Sequence, residues 1–74
     1  MTPVVASEVT FRLDGRDHTV PVGTTLAALV ALLGHPQQAV ATSIDGRFVS
    51  RADRAARLLQ PGDDVLLFKP IFGG

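Results

Sequence analysis

Only one stretch of this chain has the periodicity of a helix longer than a turn or two. Leu26, Leu29, Val30 and Leu33 recur at i, i+3, i+4 and i+7, which makes one apolar stripe. Thr24 or Thr25 supplies a hydroxyl to cap its start. Gly34 provides the left-handed residue that stops it, and Pro36 blocks continuation. In a chain of 74 residues, one helix can cover one face of one sheet. The rest of the fold must therefore be strands arranged around it.

The strands announce themselves by alternation. Val9, Phe11 and Leu13 face one way, and Glu8, Thr10 and Arg12 face the other. Asp14-Gly15 then reads as a tight hairpin turn, because both central residues of that turn take positive φ. The return strand is Arg16 to Val22, with Val20 and Val22 on the apolar side. Pro21 interrupts its donor ladder and predicts a sheet edge. After the helix, Ala39 to Ile44 reads as a third strand with Val40, Thr42 and Ile44 on one face. Asp45-Gly46 is a second hairpin signal, followed by a short strand Arg47 to Ser50. Arg51 to Leu59 has room for one or two helical turns, and Gln60-Pro61-Gly62-Asp63 is a turn. Val65 to Phe68 begins a last strand that is apolar on both faces, as a central strand or one facing a partner would be. The expectation is an α+β roll: a mixed sheet of four or five strands with one main helix on one face. It fills residues 1–74 as one domain, with 1–7 as a loose lead-in and 73–74 as a flexible tail. If the first and last strands pair at the centre, they run parallel.

Composition removes several functions. Seven basic and seven acidic residues cancel, so the chain lacks the basic footprint that nucleic-acid phosphates require. There is no cysteine, hence no disulfide, thiol nucleophile or thiolate metal site. The longest apolar run, Leu26 to Leu33, is far short of the ~20 residues of a membrane span. Met1 to Glu8 has no basic segment and no long apolar core, so no signal peptide is expected and a cytoplasmic protein is.

The side chains offer no catalytic set. His18 and His35 stand apart, with no Cys or spaced His partner, and read as surface or half-buried residues. Asp14 and Asp45 belong to hairpin turns, and Asp63-Asp64 reads as a solvated turn rather than a metal site. Ser7, Ser43 and Ser50 have no base beside them in the sequence. Arg51, Arg54 and Arg57 recur every three residues, either as a docking patch for an acidic partner or as a solvated face; the solvated face is preferred. A stand-alone enzyme is therefore the least favoured class.

One feature lies outside the fold's own needs. Gly73-Gly74 follow directly on an apolar segment. Glycines make a thin tail with no side chain to clash. Such a tail threads a narrow enzyme channel and presents a main-chain carboxylate as the reacting group, although frayed ends are also common.

Two stretches together carry a resemblance: Ser43-Ile-Asp-Gly-Arg-Phe-Val-Ser-Arg51, and Leu58-Leu-Gln-Pro-Gly-Asp-Asp-Val-Leu-Leu-Phe-Lys-Pro-Ile-Phe-Gly-Gly74. The chain from Glu8 to Gly74 resembles the ThiS family, small sulfur carriers of thiamin biosynthesis with the ubiquitin-like β-grasp fold. The resemblance implies that the Gly74 carboxylate is adenylated with ATP on a ThiF-like enzyme. Sulfur from a donor such as a cysteine desulfurase would then give a thiocarboxylate, and a ThiG-like thiazole synthase would receive it. The protein would be a recycled co-substrate that binds no cofactor itself. Gly73 would allow close approach, and Leu66, Phe68, Ile71 and Phe72 are the expected partner contacts. Pro70 is similar to the prolines of MoaD-type carriers of molybdopterin synthesis, and Phe72 is bulkier than the small residue either family suggests there. A carrier for a sulfur-containing natural product is a further reading. A ubiquitin-like modifier shares the first half of the chemistry, but Lys69 is the chain's one lysine and lies close to the tail. A plain interaction domain is the remaining class.

Overall fold

The computed structural model describes residues 7–69. Five strands and one α-helix follow in the order β1 (Glu8–Leu13), β2 (Arg16–Pro21), α1 (Leu26–Leu32), β3 (Ala41–Ile44), β4 (Arg47–Val49) and β5 (Asp64–Phe68). Short 3-10 helices at Gln37–Ala39 and Arg51–Ala56 fill two of the connections. The sheet order is β2-β1-β5-β3-β4. The strand nearest the end of the chain is thus the central one, parallel to β1 and antiparallel to β3. The expected roll is present with all five strands.

Both hairpin turns form as the Asp-Gly pairs require. Asp14 and Asp45 sit at φ 52° and 53°, and Gly15 and Gly46 follow at 83° and 81°. Positive φ at two successive residues matches the twist of the flanking strands. Each aspartate also does something the sequence did not reveal. Asp45 Oδ1 accepts from the Asp64 amide at 2.9 Å, and Asp14 Oδ1 accepts from the Leu67 amide at 3.2 Å. The tips of two hairpins therefore hold the central strand from opposite sides.

The helix starts where the threonines predicted. Thr25 Oγ1 accepts from the Ala28 amide at 3.1 Å, the N-cap bond, while the Thr24 hydroxyl donates to the Pro21 carbonyl at 2.7 Å. Leu26, Leu29 and Val30 are buried, and Leu33 is half-buried at the C-cap. Leu26, Leu29 and Leu33 pack with Val9 and Phe11 of β1, Val20 of β2, Ile44, Leu59 and Val65. Burying such side chains contributes roughly 1.5–3 kcal/mol each.

Two details differ from the expectation. Val22 is 59% exposed rather than on the apolar face, because β2 ends at Pro21 and the chain turns away before the alternation reaches it. Val40 precedes β3 yet is buried as expected. Among the described residues, no helix is long and apolar enough to cross a membrane.

Candidate functional site

β5 alternates strictly. Val65 is buried and Leu67 half-buried on the helix side, while Leu66 and Phe68 are 39% and 47% exposed on the opposite face. Directly opposed residues of an antiparallel pair project from the same face of a sheet. Leu66 faces Ser43 of β3, Ser43 faces Phe48 of β4, and Phe68 faces Ala41. Phe48 is 69% exposed. Leu66, Phe68 and Phe48 thus stand on one open sheet face, turned away from α1.

Phe48 is the residue that sequence reasoning passed over. The signal was there: on β4 the alternation Arg47-Phe48-Val49 sends Phe48 outward, as it sends Leu66 and Phe68 outward on β5. The other expected tail contacts, Ile71 and Phe72, and the glycines Gly73 and Gly74, lie outside the described residues. In the sequence they follow β5, which ends at Phe68.

The three arginines do not form one solvated face, and the preferred reading of them fails. Arg54 is 2% exposed. Its Nε donates to Thr42 Oγ1 at 3.1 Å, Nη1 to the Gln37 carbonyl at 2.6 Å and Gln37 Oε1 at 3.2 Å, and Nη2 to the Val40 carbonyl at 2.6 Å. The network continues at both ends: Gln37 Nε2 donates to the Ala27 carbonyl of α1, and the Thr42 hydroxyl to the Val49 carbonyl of β4. Burial, and after it the neighbouring Arg51, hold the Arg54 guanidinium below its ordinary pKa. The waiting acceptors account for the inward turn. Arg54 is the one residue of Arg51–Ala56 that the segment buries, while Arg51, one turn earlier at its start, stays exposed.

Arg57 forms the one ion pair among the described residues, to Asp63 Oδ2 at 3.1 Å. Asp63 is buried rather than solvated, and also accepts from the Gln60 amide at 2.8 Å. It closes the turn that aims β5 into the sheet. Asp64 is exposed, as expected. The remaining candidates stay apart. His18 is half-buried, its ring tilted against Phe11 at 5.6 Å between centroids. Ser43 is buried under the open face, and Ser50 Oγ caps the Arg51–Ala56 helix by accepting from the Asp53 amide.

No curated protein matches the sequence. Solved structures share the fold, and two of them show how closely. One is the crystal structure of the thiamine biosynthesis protein ThiS from Geobacter metallireducens, 23% identical, covering 89% of this chain and 100% of that one, at a TM-score of 0.74. The other is the solution structure of a thiamine biosynthesis protein from the same organism, 22% identical, covering 89% of this chain and 88% of that one, at 0.68. The fold is therefore the β-grasp of ThiS, with the open face on the same sheet as the strand that leads to the tail. The ThiS family model itself matches residues 6–74, from the lead-in to β1 through both tail glycines, and on that match the chain belongs to the ThiS family.

Proposed function

We propose that this protein is a sulfur carrier whose reactive group is the carboxylate of Gly74. The observation that carries the reading is the family match, which spans residues 6–74 and so takes in Gly73 and Gly74. The thiamine biosynthesis role of the two Geobacter proteins favours the thiazole of thiamin as the sulfur's destination.

The chemistry asks little of the carrier's side chains. A carboxylate oxygen of Gly74 attacks the α-phosphorus of ATP on a ThiF-like enzyme, and pyrophosphate leaves. The acyl adenylate then has a good leaving group. The persulfide sulfur of a donor such as a cysteine desulfurase displaces AMP to give an acyl disulfide. A second thiol then reduces its S–S bond, forming a new disulfide and releasing a thiocarboxylate for a ThiG-like synthase. The carrier is a co-substrate rather than a catalyst, and its share is positioning. Leu66, Phe68 and Phe48 seat the folded body on the partner. The five residues after Lys69 reach at most ~17 Å when extended, with Ile71 and Phe72 as channel contacts and Gly73 giving a narrow approach. Pro70 and Phe72 bear on which channel accepts the tail. The setting is the cytoplasm, where ATP is available.

Intact mass spectrometry tests this directly. The protein is incubated with ATP, a ThiF-class enzyme and a sulfur donor. A mass gain equal to replacing one oxygen by one sulfur, localised to Gly74 by fragmentation, is the expected result. Localisation separates it from oxidation of Met1. Deleting Gly73 and Gly74 should abolish the gain. An adenylate that forms but never takes up sulfur would favour a ubiquitin-like modifier instead.

A further inference from the structure

The arginines at 51, 54 and 57 meet three different fates. Arg57 is neutralised by Asp63. Arg54 is inside the protein and touches only neutral acceptors. Arg51 is exposed and makes no ion pair or side-chain hydrogen bond with any described residue. Arg51 and Arg54 line an open groove together with Gln37, Gln38, Val40, Ala41 and Phe48. No carboxylate is among the groove's lining residues.

This groove is electrostatically one-sided. The Arg54 charge has left water and is met by carbonyl and hydroxyl dipoles alone. Arg51 adds a second positive charge close enough to disfavour the first. An anion placed there is attracted by both, and the exposed guanidinium of Arg51 offers the planar fork that binds a carboxylate through two parallel bonds. The groove is also continuous with the open face. Phe48 belongs to both, and Ala41 lies directly opposite Phe68. A partner seated on Leu66 and Phe68 therefore has its own surface beside the groove.

We propose that the adenylating partner sets an acidic side chain into this groove against Arg51, and that this contact fixes the orientation in which the carrier docks. The inference rests on the sulfur-carrier reading above. A protein carboxylate is favoured over a nucleotide phosphate because ATP must meet Gly74 at the end of the tail, whereas the groove belongs to the folded body.

The test is ATP–pyrophosphate exchange, using the full chain and a purified ThiF-class enzyme from the same organism. Arg51→Glu is expected to raise the KM for the carrier by about tenfold with kcat unchanged, as loss of a rim charge weakens docking without touching the chemistry. Arg51→Gln gives a smaller rise of the same sign. Added salt raises the wild-type KM more steeply than that of Arg51→Glu. Arg16→Glu makes the same charge change on β2, at the far edge of the sheet, and leaves the KM where it was. Equal KM values for wild type and Arg51→Glu overturn the inference while leaving the carrier reading intact. So does an equal rise with Arg16→Glu, which would mean a diffuse field. A rise in the KM for ATP alone would put a phosphate in the groove and overturn it too. No exchange with the wild type overturns the carrier reading, and this inference with it.

Discussion

Removing the buried guanidinium should weaken this domain more than any surface change. Arg54→Ala deletes four hydrogen bonds to three residues. The carbonyls of Gln37 and Val40 then lose the donor that faces them. A buried group left unsatisfied costs about 1–3 kcal/mol, so two set a range of about 2–6 kcal/mol. Relief from keeping a charge out of water lowers that figure, and water entering the vacated space lowers it again. The expected loss is about 3 kcal/mol. At about 0.05–0.15 kcal/mol per residue, 74 residues give a total stability of about 4–11 kcal/mol, so the loss is a large fraction of it. The midpoint of thermal unfolding should fall by about 12–24 °C, at about 4–8 °C per kcal/mol. Urea unfolding followed by far-ultraviolet circular dichroism measures the free energy directly. Arg54→Lys keeps the charge but not the fork, and should fall between the two. A value for Arg54→Ala within about 1 kcal/mol of wild type would refute the claim that this network ties α1, β3 and β4 together.

Three smaller perturbations follow from the same structure. Thr25→Ala removes the N-cap bond to the Ala28 amide and should cost about 1 kcal/mol in urea unfolding. Gly46→Ala has open space for its methyl group, yet its φ of 81° disfavours any L side chain, and it should lower stability by about 1 kcal/mol, read from the thermal midpoint. Leu66→Ser combined with Phe68→Ser alters exposed side chains, so stability should change by less than about 1 kcal/mol, while the KM for the carrier in the exchange assay rises. A large loss of stability in that variant would assign the two residues to the fold instead.

Much of the fold could be read from local chemistry. The Asp-Gly pairs at 14–15 and 45–46 were readable because few residues tolerate two successive positive φ values. The helix was readable because its stripe, cap and stop agree. Val22 was misplaced because alternation in a sequence does not show where the partner strand ends. Arg54 was misplaced for a subtler reason. Charge argues for solvent unless acceptors are waiting, and the acceptors come from residues 12 to 17 positions away. One sign of them was present: Thr42 is a polar residue between Val40 and Ile44 on the inward face of its strand. An inward hydroxyl needs a partner, and Arg54 supplies it. Leu66 and Phe68, two of the three residues of the open face, were legible from the two-sided apolar pattern of β5. Alternation on β4 marks Phe48 as outward, but that it shares a face with Leu66 and Phe68 follows from the pairing of β3 with both β4 and β5.

The central place of β5 also has a mechanical consequence. A pull on Gly74 passes along the chain to Lys69 and then along the axis of β5. That strand is bonded to β1 on one side and β3 on the other, and two hairpin aspartates grip its amides. The load is therefore shared in shear by both ladders at once instead of peeling one bond at a time from an edge. β2 or β4, each with a single neighbour, would carry the same load on one ladder alone. A body built this way can be hauled out of a tight grip by its end without unravelling.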